Sequence, residues 1–228
     1  MLRSSHPEAR RLLDALRQQA SRGQRYPKAS RLHEREATLQ IVLEGGVLRQ
    51  RFLPDGKRQT VAVYYRDDVI NLTGYVGASS EGADYLVALQ GSLVGEVPDR
   101  TLEVIRTGSP PGKDGMAVLV LHELMISHER IASLGQRTAI ERMAHFLCET
   151  LIRSTEHMGD YRTDRCTLHI TQEMLSSVLG LSTVHVNRTM QELRGLKLAD
   201  LVRNELVVND FDGLADLGKF SDAYLVRF

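Results

Sequence analysis

The stretch Thr171-Gln-Glu-Met-Leu-Ser-Ser-Val-Leu-Gly-Leu-Ser-Thr-Val-His-Val-Asn-Arg-Thr-Met-Gln-Glu-Leu193 constrains the chain most, because a helix start, a corner and a second start fall in one register. Thr171 is placed to cap a helix, with Glu173 against its positive end. Leu175 and Leu179, four apart, supply the buried face, and the small Ser176 lets a second helix cross closely. Gly180 accepts the turn that follows, Leu181 plugs the corner, and Ser182 caps a second helix whose Val186, Met190 and Leu193 point inward. A lone Gly-Leu corner is usually a packing motif. Here caps, crossing residue, corner and exposed Arg188 agree, and Leu201–Arg203 with Leu206–Val208 read as a small hairpin around Asn204-Glu205. The expectation is a winged helix-turn-helix that binds DNA.

In that motif the second helix enters the major groove, so its exposed N-terminal side chains reach base edges. Those are Thr183, Val184, Asn187 and Arg188, with His185 beside them. A guanidinium donates two bonds to guanine O6 and N7, which makes Arg188 the leading base reader. Thr171, Gln172 and Ser182 lie at helix N-termini, where hydroxyls and amides suit phosphate contacts that position rather than specify.

Upstream, Leu39–Leu43, Val47–Leu53, Thr60–Tyr65, Tyr85–Leu89 and Ser92–Val97 are short apolar or alternating runs, and Pro54-Asp55-Gly56-Lys57 is a hairpin turn. Such spacing belongs to a barrel or sandwich. Asp67-Asp68, at a strand end, reads as a solvated turn. After Pro98 the composition turns helical. Ala117, Leu121, Leu124, His128, Ile131 and Leu134 recur at spacings of three or four, an apolar stripe that either packs on its own barrel or pairs with a second copy. Arg137 to Arg153 forms another amphipathic helix, and Thr167–Ile170 a short strand. The expected organisation is a sensor-like domain over 1–109, a long helix over 110–135 and a DNA-binding domain over 136–228.

Net charge is zero and no domain is basic as a whole, but residues 1–35 carry nine Lys/Arg against three Asp/Glu and read as a solvated, mobile basic arm. No apolar run approaches the roughly 20 residues that span a bilayer, so the expectation is a cytoplasmic protein with no membrane partner. Two cysteines, Cys148 and Cys166, cannot supply a four-Cys zinc site or iron–sulfur cluster. No phosphate-cradling loop, His-Glu-x-x-His or nucleophile motif points to an enzyme, and no metal or cofactor is expected. A different class of reading remains, in which the chain is a small-molecule-binding or protein-interaction module whose helical tail serves assembly.

The chain resembles bacterial transcription regulators of the cAMP receptor protein and fumarate-nitrate regulator (Crp/Fnr) superfamily over nearly its whole length. Val42-Leu-Glu-Gly-Gly-Val-Leu-Arg49 with the Pro54-Asp-Gly hairpin is similar to the family's β-roll. Leu134-Gly-Gln-Arg-Thr-Ala-Ile-Glu-Arg-Met-Ala-His-Phe-Leu-Cys148 resembles its segment between dimer helix and DNA domain, and Ser182–Arg188 its recognition helix. The resemblance implies an α+β fold: an N-terminal antiparallel β-roll of the cyclic-nucleotide-binding jelly-roll type, a long dimerisation helix and a C-terminal winged helix-turn-helix. It implies a homodimer joined through Ala117, Leu121, Leu124, His128 and Ile131, a palindromic duplex as target, RNA polymerase as partner, and an effector whose identity is unknown. Members that bind cyclic AMP use a Gly-Glu pair and an Arg; Asn71-Leu72 and Gly82-Ala83 stand there instead, so cyclic nucleotide is not the expected ligand, with Arg49, Arg51 or Arg66 as candidate substitutes. A haem-binding relative would need a histidine such as His33, His122 or His128. Relatives place an acid where Val184 stands, so the operator is expected to differ from the family's familiar sites.

Overall fold

The computed structural model describes residues 6–20, 23–32, 38–72, 84–108, 110–155, 164–167 and 169–225. Its contacts divide the chain into two compact units, residues 1–52 with 62–127 and 223–228, and residues 53–61 with 128–222.

The first unit holds helix α1 (Pro7–Gln19), strands β1 (Gln24–Tyr26), β2 (Ser30–Arg31), β3 (Gln40–Glu44), β4 (Gly46–Phe52), β5 (Arg58–Tyr65, which begins in the second unit), β6 (Val69–Ile70), β7 (Asp84–Ala88) and β8 (Ser92–Glu96), then helix α2 (Asp99–Thr107). Two antiparallel four-stranded sheets, in orders β1-β8-β3-β6 and β2-β7-β4-β5, make the β-roll. Alternation aims Val42, Val47, Ile70, Leu86 and Val94 into its interior. Helix α3 (Pro110–Gln136) begins in this unit and ends in the second.

Residues 7–19 are not a mobile arm. Ala9, Leu12, Leu13 and Leu16 follow a helical spacing and are buried, the leucines against Leu39 and Ile41 of β3, Leu102 and Ile105 of α2, and Met116 and Leu119 of α3. Each such leucine contributes up to about 1.5–3 kcal/mol, enough to order a helix whose other face carries the charge. The Asp67-Asp68 turn is likewise not simply solvated. Asp67 is buried at a left-handed φ of 73° and forms an ion pair with Arg17 of α1, while Asp68 Oδ2 accepts from the Tyr65 amide at 2.7 Å.

The second unit contains α4 (Ala139–Thr155), β9 (Arg165–Thr167), α5 (Gln172–Leu179), α6 (Thr183–Gly195), β10 (Ala199–Val202), β11 (Glu205–Val208) and α7 (Phe211–Gly218). The sheet order is β10-β11-β9, all antiparallel. The short strand lies at 165–167 rather than 167–170, because Arg165–Thr167 is the segment in register with β11. The wing turn is one residue earlier than the sequence suggests: Val202 pairs with Glu205, and Arg203 and Asn204 both take positive φ, the geometry of a two-residue I′ hairpin. Helix α4 starts with a capping box, Glu141 accepting from the Thr138 amide at 2.8 Å. Its partner α7 comes so close that a Cβ on Gly218 would stand 2.5 Å from the His145 backbone nitrogen and 3.0 Å from the Ala144 carbonyl carbon.

Candidate nucleic-acid interface

The two helices start where hydroxyl oxygens replace missing backbone partners. Thr171 Oγ1 accepts from the Met174 amide at 3.2 Å and Ser182 Oγ from the His185 amide at 3.3 Å. Both hydroxyls keep their own proton, which leaves each a donor for a phosphate oxygen. Between the helices Gly180 adopts φ 62°, the left-handed cap that lets the Leu181 amide reach back to the Ser176 carbonyl at 3.1 Å. Ser176 also donates its hydroxyl to the Leu181 carbonyl, so this residue ties the corner in addition to being small. Leu175, Val178 and Leu179 of α5 and Val186, Thr189, Met190 and Leu193 of α6 are buried. Leu181 is only half-buried, so the plug is shared with Val178 and Leu179.

That burial leaves one face of α6 outward. Thr183, Val184, His185, Asn187 and Arg188 are exposed, Val184 by 74%, as are Thr171, Gln172 and Ser182. A valine side chain left that open at a helix start offers contact for a thymine methyl, and Arg188 offers a fork for guanine. All eight predicted residues are thus exposed. Two of them are joined directly, Asn187 Nδ2 donating to Gln172 Oε1 at 3.1 Å.

Three supports were not legible in the sequence because each joins residues of different elements, with no local pattern that names the partner. Arg142 of α4 donates to the Leu179 carbonyl at 2.6 Å and to the Leu134 and Arg137 carbonyls at 3.0 Å each, so one guanidinium gathers carbonyls at the C-terminal ends of α5 and α3. Desolvation lowers its pKa, yet it stays charged at any physiological pH. Arg194 at the end of α6 grips Asp200 of β10 through two bonds of 2.7 and 2.6 Å, which ties the wing to α6. The 53–61 hairpin segment touches α5: Arg58 forms an ion pair with Glu173, and the Thr60 and Ser177 hydroxyls lie 2.6 Å apart.

On α3 the residues expected to join two copies lie outward. Ala117, Leu121, Leu124, His128 and Ile131 are all exposed, Leu121 by 56% and Ile131 by 68%, whereas Met116, Leu119 and Ile126 are buried. The exposed set repeats at four, three, four, three, the spacing of a coiled-coil seam.

Inside the β-roll, Arg49 Nε donates to the Tyr64 hydroxyl at 3.1 Å and its Nη2 to Asn71 Oδ1 at 2.8 Å, and the Tyr64 hydroxyl donates to Glu123 of α3 at 2.7 Å. Burial beside Glu123 pushes the Tyr64 phenol far above its ordinary pKa, so it remains a donor. Arg51 is held by Asp84 at 2.6 and 3.1 Å, and Arg66 lies 3.9 Å from Asp67. The three arginines are thus engaged by the protein's own groups. Gly82-Ala83 and His33 lie outside the described residues; His122 is half-buried and His128 exposed. Burial raises the Cys148 pKa to about 12 and that of Cys166 to about 11, so both are thiols at neutral pH.

Residues 141–217 match the model of the Crp-like helix-turn-helix domain. The transcriptional activatory protein AadR of Rhodopseudomonas palustris is 25% identical over 199 residues, 83% of this chain and 79% of that protein. The nitrogen fixation regulation protein FixK of Bradyrhizobium diazoefficiens is 27% identical over 156 residues, 67% of this chain and 62% of that protein. In fold, FixK2 from Bradyrhizobium japonicum superposes with a TM-score of 0.73 at 22% identity, covering 87% of this chain and 96% of that one. Residues 141–217 thus form a Crp-like helix-turn-helix domain, and the chain, with a β-roll, a long helix and a winged helix-turn-helix in that order, is similar over most of its length to transcription regulators of the Crp/Fnr type.

Proposed function

We propose that this regulator works as a homodimer that reads a palindromic duplex, and that it does so without cyclic AMP. The observation that carries the reading is the outward face of α6, where Thr183, Val184, Asn187 and Arg188 stand exposed above two capped helix N-termini. A coiled-coil seam through Ala117, Leu121, Leu124, His128 and Ile131 joins the copies, and their reading helices meet half-sites one helical turn, about 34 Å, apart. Arg49 takes the place of a ligand's counter-ion by bonding Tyr64 and Asn71, which argues against a phosphate in the roll. Control of transcription follows through contact with RNA polymerase in the cytoplasm.

The test is selection of duplexes from a random pool by the purified, ligand-free protein, followed by titration at several salt concentrations. An enriched palindrome and an affinity that falls steeply with salt support the reading. Arg188→Ala keeps the fold and loses about 1–3 kcal/mol of discrimination at one base pair per half-site. Salt-insensitive binding, or a variant with unchanged selectivity, refutes it.

A further inference from the structure

We propose that Asn187 reads an adenine in each half-site and that Gln172 is the positioning residue that orients it. This rests on the DNA-binding reading above and adds the base and the partner. An exposed asparagine alone is a poor reader, since its amide turns over and presents donor or acceptor at either edge. Here Asn187 Nδ2 donates to Gln172 Oε1 at 3.1 Å, from α6 back to the first turn of α5, so the end that faces Gln172 is the nitrogen. Turning the Asn187 amide alone would set two oxygens against each other, so it can reverse only if Gln172 reverses with it, which couples the two side chains. What Asn187 has left is its Oδ1 and one N–H, an acceptor beside a donor.

Of the four bases in the major groove, adenine alone complements that pair, with its N6 amino group as donor and N7 as acceptor. Guanine offers two acceptors, which would face Oδ1 with a repulsive oxygen. Cytosine and thymine each satisfy half. Gln172 retains both N–H groups of Nε2, which are free to donate to a phosphate, so fixing Asn187 and touching the backbone are compatible roles. Because the pair is already formed without DNA, part of the ordering cost of the bidentate contact is met in advance. Arg188 follows directly in sequence, so the half-site is expected to hold a guanine near the adenine.

The test uses the full-length protein on its own selected site. Duplexes carry adenine, guanine or 7-deazaadenine, which lacks the N7 acceptor, at each adenine of the half-site. The parent is expected to lose about tenfold in affinity on guanine and severalfold on 7-deazaadenine at one position. Asn187→Ala should bind all three alike, with an unchanged circular dichroism spectrum. Gln172→Ala should lose much of the adenine preference, whereas Gln172→Glu, which still accepts from Asn187, should keep it while weakening binding to every sequence. A glutamine that only touches phosphate would instead weaken all duplexes equally in both variants, and that result overturns its positioning role. Retained 7-deazaadenine sensitivity in Asn187→Ala overturns the adenine contact. A parent that selects no duplex sinks the DNA-binding reading and this proposal together; a parent that selects a site which Asn187→Ala reads identically sinks this proposal alone.

Discussion

Replacing Tyr64 with phenylalanine removes one oxygen from the interior of the β-roll and leaves the ring in place. The residue is 4% exposed, so no water takes over the two bonds its hydroxyl makes, from Arg49 Nε at 3.1 Å and to Glu123 at 2.7 Å. A hydrogen bond to a charged group contributes about 1.5–3 kcal/mol. Arg49 and Glu123 are only half-buried and recover part of their solvation, which sets each bond at the low end, for a loss of about 3 kcal/mol in all. With a urea m-value of about 2 kcal/mol/M, the unfolding midpoint of the β-roll should fall by about 1.5 M. Two compact units need not unfold together, so the readout is the β-sheet phase of the circular dichroism titration. Combining Tyr64→Phe with Glu123→Ala should cost less than the two separately, since they share a bond. A midpoint within about 0.3 M of the parent would mean that the relay is geometrically present but energetically idle.

Aspartate at both Leu121 and Leu124 should halve the mass seen in sedimentation, because two charges per helix would be desolvated in the seam; a parent-like profile would place the interface elsewhere. Acid should weaken the DNA-binding unit. Burial, with Arg137 nearby, holds the His145 pKa below the ordinary 6.5 although Glu149 and Glu129 pull the other way. The unfolded chain then takes up a proton below about pH 6.5 that the folded one refuses, so stability is full above that pH and declines beneath it. His145→Gln should flatten the decline in the thermal midpoint between about pH 7 and 5, and an equally steep decline in that variant would exclude this histidine as the cause.

The elements that read cleanly from sequence are those whose signals are local. Thr171, Gly180 and Ser182 each announce a helix end through their own backbone chemistry, and all three behave as their types suggest. Helix α1 was obscured because nine Lys/Arg, only three of them (Arg10, Arg11 and Arg17) within the helix, set the character of the first 35 residues, although Ala9, Leu12, Leu13 and Leu16 carry the period. The stripe on α3 left two readings open for a physical reason. This helix is apolar on two faces, Met116, Leu119 and Ile126 turned inward and Leu121, Leu124 and Ile131 outward, and periodicity cannot tell a core face from a seam. Arg142, Arg194 with Asp200, and the Gln172–Asn187 pair act between side chains or on carbonyls several to dozens of residues away, so nothing near any of them in sequence reports the partner.

The approach of α7 to α4 at Gly218 bears on how this domain can drift in sequence. Most core positions tolerate a larger side chain if a neighbouring side chain shrinks. Gly218 faces the backbone of Ala144 and His145, which has nothing to shed. A chain that acquires alanine there must push α7 outward bodily, stretching the bond of 3.0 Å from Arg137 Nε to the Gly218 carbonyl and opening the contact between the His145 and Phe220 rings. Descendants of this sequence are therefore free to vary Val178 or Met190 by compensation, while position 218 has no compensating partner and is held by the main chain itself.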